Sequence, residues 1–140
     1  NMLLKVLLSM KDYARVSVIK GASVEGNANP VTGGIVDREN YIFSTGESYI
    51  QFDFPEAPLL NDITFHLWDF DNDKRVYTYS IDVLSNGKWE NVITNRRGQG
   101  VQYIHFQDME KVTSIRMKGV NNKNPYLHLL NDWLSFRYTL

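Results

Sequence analysis

A chain of 140 residues with a hydrophobic fraction of 43% has the size and apolar content of one folded domain. Its formal net charge of -1 gives no sign of a nucleic-acid partner or an anionic membrane, and the absence of cysteine excludes disulfides and thiolate metal sites. The lack of cysteine also favours a cytoplasmic location, and no apolar run is long enough to predict a membrane span. Aromatic residues make up 13% of the chain, a content that favours strands.

In chain order, the sequence divides into a lead-in of residues 1–13 and a β-rich domain of residues 14–140. The apolar spacing of the lead-in leaves a short helix or an extended segment open. Eight strands are predicted in the domain, at residues 14–20, 49–54, 63–68, 77–83, 89–93, 101–106, 114–118 and 134–138. Asn86-Gly87 lies between two of them and predicts a tight hairpin, because both residues tolerate positive φ. Trp68 and Trp89 are expected on the inner, buried faces of their strands.

Four sequence patterns occur in a distinctive order along these strands. They are an aromatic-Ile-Gln strand at residues 49–54, a Tyr-x-apolar-x-Val strand at residues 79–83, the Asn-Gly turn followed by Trp89, and Ile115-Arg116-Met117. This order resembles the discoidin family, also called the coagulation factor 5/8 type C family. The resemblance implies an all-β, antiparallel jelly-roll sandwich of the galactose-binding-like kind, with about eight strands.

A second resemblance is closer. Val18–Gly21, Leu67–Asp71 followed by Tyr77 and Tyr79, and Ile115–Asn122 are similar to the discoidin-like domains of BTB-BACK proteins of the BTB-domain protein nine class. Those are intracellular adaptors for cullin-3 ubiquitin ligases. The resemblance therefore implies a non-catalytic module that binds a protein partner in the cytoplasm.

The discoidin resemblance also implies a ligand at one end of the sandwich, where three loops meet: Ser23–Gly33, Asp69–Arg75 and Asn121–Tyr126. The last two loops combine acids, bases and aromatic rings, a mixture typical of surfaces that bind proteins. The acidic rim and the lack of an apolar spike argue against membrane binding. The predicted partner-binding residues are Asp69, Phe70, Asp71, Asp73, Arg75, Asn121, Asn122, Lys123 and Tyr126.

Carbohydrate binding is the alternative function. It requires an exposed aromatic platform beside hydrogen-bonding groups. Tyr126 and His128, next to Asn121, Asn122 and Asn124, could supply such a platform. A glycan-binding module of the same fold therefore stays open beside the protein-binding module.

Metal binding and catalysis are not expected. The alternating acids of Asp69–Asp73 resemble the start of a calcium loop, but Lys74 and Arg75 follow where further ligands would be needed. Asp37 is a second metal candidate, in the position of a turn that holds calcium in some relatives, without the glycine of that turn. His66 and His105 lie within strands and have no second histidine at ligand spacing. No nucleophile motif or phosphate loop is present, so we expect neither an enzyme nor a cofactor.

Overall fold

The computed structural model describes the backbone of residues 5–9, 15–19, 35–36, 40–45, 49–54, 57–70, 75–120 and 126–139, and the side chains of residues 45, 49–54, 57–70, 75–120 and 127–129. Every regular element within these residues is a β-strand, and no helix there could span a membrane. The strands are β1 Lys5–Ser9, β2 Arg15–Ile19, β3 Ile35–Val36, β4 Asn40–Ser44, β5 Tyr49–Asp53, β6 Leu59–Leu67, β7 Tyr77–Ser85, β8 Lys88–Gly98, β9 Val101–Met109, β10 Val112–Val120 and β11 Tyr126–Thr139.

The strands form two antiparallel sheets. One runs in the order β3-β4-β11-β6-β9, with β1 also paired to β11, and the other runs β2-β5-β10-β7-β8. Consecutive strands β8 and β9 lie at the edges of different sheets, so the short link between them passes from one sheet to the other. The predicted all-β antiparallel sandwich is confirmed.

One hydrophobic core fills the space between the sheets. It forms because alternate residues of each strand point to the same face, as in β5, where Ile50 and Phe52 are fully buried. Phe65 of β6 meets Tyr79 of β7 edge to face, with ring centroids 5.1 Å apart, and so joins the two sheets. Burial raises the pKa of Tyr79 to about 12, against an opposing effect of the nearby Arg96 charge.

The N-terminal lead-in contains a strand, so its helical alternative is wrong for Lys5–Ser9. This segment pairs with β11 in antiparallel register, from Lys5 opposite Thr139 to Ser9 opposite Ser135. A short apolar run fits either period, and here the backbone groups of β11 provide the ladder that makes it a strand. The two short strands β3 and β4, which were not predicted, pair with each other, and β4 also pairs with β11.

The Asn86-Gly87 hairpin is confirmed, with φ angles of 51° and 76° at its two central residues. The expectation that both tryptophans are core residues is wrong. Trp89 follows this hairpin and is 36% exposed, with its ring against the guanidinium of Arg116 on the outer face of the five-stranded sheet. Trp68 is half-buried at the end of β6 and lies outside the core cluster. Both rings therefore lie on or near the surface.

Candidate functional site

Backbone hydrogen bonds fix the segment that follows β6 at one end of the sandwich. The Leu67 amide donates to the Gly100 carbonyl, over 2.9 Å, and the Trp68 amide donates to the His128 carbonyl, over 3.0 Å. The Tyr77 hydroxyl donates to the Trp68 carbonyl, over 3.3 Å. The start of β9, the start of β7 and β11 thus hold this segment from three sides, and its side chains have a defined direction.

Four rings meet at this point. The Trp68 ring stacks on the His128 ring, with centroids 5.1 Å apart and planes 10° from parallel. Phe70 meets Trp68 at 6.4 Å and His66 at 5.5 Å, edge to face in both cases. Phe70 is nevertheless 64% exposed, so most of its side chain faces solvent. The result is a supported aromatic surface at the end of the sandwich.

Charged groups surround these rings. The Asp69 Oδ1 atom lies 2.8 Å from His66 Nε2, a hydrogen bond that orients the carboxylate. The Arg75 guanidinium lies 5.7 Å from the centre of the Trp68 ring, at cation–π distance. We call His66, Trp68, Asp69, Phe70, Arg75 and His128 the end cluster.

A close backbone approach also shapes the end cluster. Gly100 has a φ of 68°, and a Cβ atom added there would lie 3.0 Å from Asp69 Oδ2. The glycine therefore gives the carboxylate room beside the chain, in a backbone conformation that other residues rarely adopt.

The end cluster combines the chemistry that a small polar ligand needs. An exposed ring offers an apolar face, while carboxylate, imidazole and guanidinium groups supply acceptors and donors of hydrogen bonds around it. Among the described side chains, no group of three or more His, Cys, Asp or Glu residues is arranged to hold a metal ion. The arrangement is suited to recognition of a ligand by stacking and hydrogen bonding.

Three of the predicted partner-binding residues, Asp69, Phe70 and Arg75, belong to the end cluster. Tyr126 begins β11, but its side chain lies outside the described residues. Other predicted positions also lie outside the described residues, namely Asp71, Asp73, Asn121, Asn122, Lys123, the metal candidate Asp37 and the loop at residues 23–33. The meeting of the three loops at one end of the sandwich therefore stays a prediction.

Sequence reasoning missed part of the end cluster. His66 was assigned only to a strand face, and Trp68 was assigned to the core. His128 entered only through the carbohydrate alternative, beside Tyr126. A usable signal was the run His66-Leu67-Trp68-Asp69-Phe70, in which three residues with rings alternate with Leu67 and Asp69 where β6 ends.

No protein-family model matches the chain, and no curated protein matches it in sequence. Solved structures do match over most of its length. A family 32 carbohydrate-binding module of Clostridium perfringens NanJ, in complex with galactose, has a TM-score of 0.68 at 10% identity, covering 96% of this chain and 99% of that one. The family 32 module of AlyQ, in complex with 4,5-unsaturated mannuronic acid, has a TM-score of 0.62 at 17% identity, covering 89% and 95%. A pectin-binding carbohydrate-binding module has a TM-score of 0.63 at 16% identity, covering 84% and 86%.

At these identities the likeness defines the fold. The chain has the jelly-roll β-sandwich fold of these modules, the fold that the discoidin resemblance implied. These neighbours do not bear on the closer resemblance to BTB-BACK proteins, which stays a prediction.

Proposed function

We propose that the chain is a non-catalytic carbohydrate-binding module whose end cluster recognises a glycan. The observation that carries the proposal is the 64% exposure of Phe70, a ring that Trp68 and His66 contact edge to face. The C–H face of a sugar ring can stack on such a surface, and Asp69 and Arg75 stand beside it to bond the hydroxyl groups. Stacking and hydrogen bonding together would give both affinity and orientation.

Preorganisation strengthens the proposal. The stacked pair of Trp68 and His128 and the hydrogen bond from His66 to Asp69 hold the end cluster in place before any ligand arrives. Binding then loses less side-chain entropy than it would on mobile residues. A sugar that covers about 50 Å² of the Phe70 ring would gain about 1.3 kcal/mol, roughly a tenfold lower Kd.

The structural neighbours support the same function. They include modules solved with galactose and with an unsaturated mannuronic acid, as well as a pectin-binding module. All three are described as carbohydrate-binding modules, which agrees with a binding role for this chain. The glycan alternative of the sequence analysis is therefore better supported than the protein partner.

A glycan array followed by calorimetry tests the proposal. The array identifies a ligand for the wild-type domain, and calorimetry then compares Phe70→Ala with Tyr103→Ala. Tyr103 is a matched control because its side chain is 75% exposed on β9 and has no part in the end cluster. We expect Phe70→Ala to weaken binding about tenfold and Tyr103→Ala to leave it unchanged. Equal affinity of Phe70→Ala and wild type would contradict the proposal.

A protein partner, as in a BTB and cullin-3 adaptor, stays the second candidate. An exposed aromatic beside an arginine also anchors protein interfaces, so Phe70 and Arg75 would suit that role too. The same array separates the two functions. If the domain binds no glycan, and Phe70→Ala abolishes binding of an identified cytosolic partner, the ligand of the end cluster is a protein and not a glycan.

A further inference from the structure

The outer face of the five-stranded sheet carries an arginine flanked by aromatic rings. The Cζ atom of Arg116, on β10, lies 4.4 Å from the ring centre of Tyr49 on β5 and 4.2 Å from that of Trp89 on β8. Its Nε atom donates a 2.8 Å hydrogen bond to Gln51 Oε1. We call Tyr49, Trp89 and Arg116 the sheet-face cluster.

A neutral side chain of β5, Gln51, holds Arg116 in place, and the carboxylate of β5 does not. Asp53 is the acid of that strand on the same face, and its Oδ1 atom accepts hydrogen bonds of 2.7 Å from both Gln51 and Ser114. Among the described residues, the hydrogen bond from Nε is the one that the Arg116 guanidinium makes. Neutral donors thus satisfy Asp53, and Gln51 orients the guanidinium.

The acid on the other neighbouring strand is engaged in the same way. Asp82 of β7 lies directly opposite Arg116 in the ladder, yet its Oδ1 atom accepts a 2.8 Å hydrogen bond from Asn91 Nδ2. Arg116 makes no ion pair with a described carboxylate within 4 Å. Within the described part of the chain, the terminal amino groups of the guanidinium therefore have no acceptor, and an acceptor from outside can bind them.

The side chains around Arg116 indicate the chemical class of that acceptor. Lys118 lies two residues beyond Arg116 on the same face of β10, and adds a second positive charge. Trp89 is 36% exposed directly beside the guanidinium, so it offers an apolar ring next to a cation. A planar guanidinium binds a carboxylate through two parallel hydrogen bonds, and an indole stacks on the C–H face of a sugar ring.

We propose that the sheet-face cluster is a second binding site, and that it takes an acidic saccharide. A hexuronate carries its carboxylate directly on the pyranose ring, so one sugar residue presents both the anion for Arg116 and the apolar face for Trp89. An acidic peptide carries its carboxylates on flexible side chains and lacks this rigid pairing. The site is separate from the end cluster, because Trp89 follows the hairpin at the end of β7 and the end cluster adjoins the start of β7.

An NMR titration with an oligogalacturonate tests the proposal, with a neutral galactan oligosaccharide of equal length for comparison. The indole N–H of Trp89 should shift on adding the acidic sugar and should not shift with the neutral one. Arg116→Lys keeps the charge but loses the planar pair of donors, so we expect about tenfold weaker binding. Arg97→Lys makes the same change at an exposed arginine of β8 and should leave binding unchanged.

Two further variants separate the possible failures. Trp89→Ala should weaken binding of the oligogalacturonate at this site, and Phe70→Ala should not, so a failure here is distinct from a failure at the end cluster. Melting curves confirm that each variant is folded. Equal losses in Arg97→Lys and Arg116→Lys, or a shift of the Trp68 indole alone, would overturn the proposal. Equal, Arg116-dependent binding of polyglutamate would overturn the saccharide as the ligand.

Discussion

Replacing Gly100 with alanine should both destabilise the fold and disturb the end cluster. The φ of 68° at this position costs a residue with a Cβ atom about 1–2 kcal/mol. In a chain of this size that loss lowers the Tm by about 2–8 °C. The new Cβ atom would also lie 3.0 Å from Asp69 Oδ2, so the carboxylate must move away from the position in which it bonds His66.

Gly87→Ala is the matched control for this prediction. Its φ of 76° imposes a similar backbone strain, but a Cβ atom there meets nothing within 4 Å. Thermal melting should therefore show similar losses for both variants, whereas the NMR resonances of the His66 ring should change only in Gly100→Ala. In an Asp69→Ala background, which lacks the carboxylate, Gly100→Ala should lower the Tm by less than it does in the wild type. A Gly100→Ala variant as stable as wild type, or unchanged His66 resonances, would refute the reasoning.

The remaining predictions concern packing, pH and calcium. Gly119→Ala would place a Cβ atom 2.8 Å from Thr45 Cγ2 and 3.0 Å from Leu127 Cβ, and urea unfolding should show a loss of about 1–3 kcal/mol from overpacking. The pKa of Tyr79 is about 10 in the unfolded chain and about 12 in the folded one. Its contribution to stability is therefore present below pH 10 and is lost as the pH rises towards 12. A series of melting curves across this pH range should show a smaller alkaline fall in Tm for Tyr79→Phe than for wild type. Calcium or a chelator should leave the Tm unchanged, and a steep rise in Tm with millimolar calcium would contradict this.

The sequence predicts strands best where a strand has one buried and one open face. In β7 and β10 the buried residues alternate with less buried ones, and the apolar pattern follows that alternation. The short strand β1 was ambiguous because five residues, three of them apolar, fit two periods. Its pairing with β11 depends on residues at the far end of the chain. The sequence of the lead-in alone could not predict a pairing between residues so far apart in the chain.

The end cluster shows a similar limit. Sequence could place Asp69, Phe70 and Arg75 together in one loop, because they are close in the chain. It could not pair Trp68 with His128, since that contact is set by the register between β6 and β11, where a shift interrupts the ladder. Trp89 pairs with Leu84 in the regular part of the ladder beside the hairpin, so its outward face is set by this cross-strand pairing and not by its own neighbours in the chain.

The most direct test of the central claim is an NMR map of the domain with a glycan identified on the array. If the end cluster is the binding site, saturation with that glycan should shift the Trp68 indole and the rings of Phe70 and His66 in parallel, with one Kd. Phe70→Ala should raise the Kd obtained from the Trp68 and His66 shifts about tenfold. Saturable shifts elsewhere in the domain, with the three rings unchanged, would contradict the account.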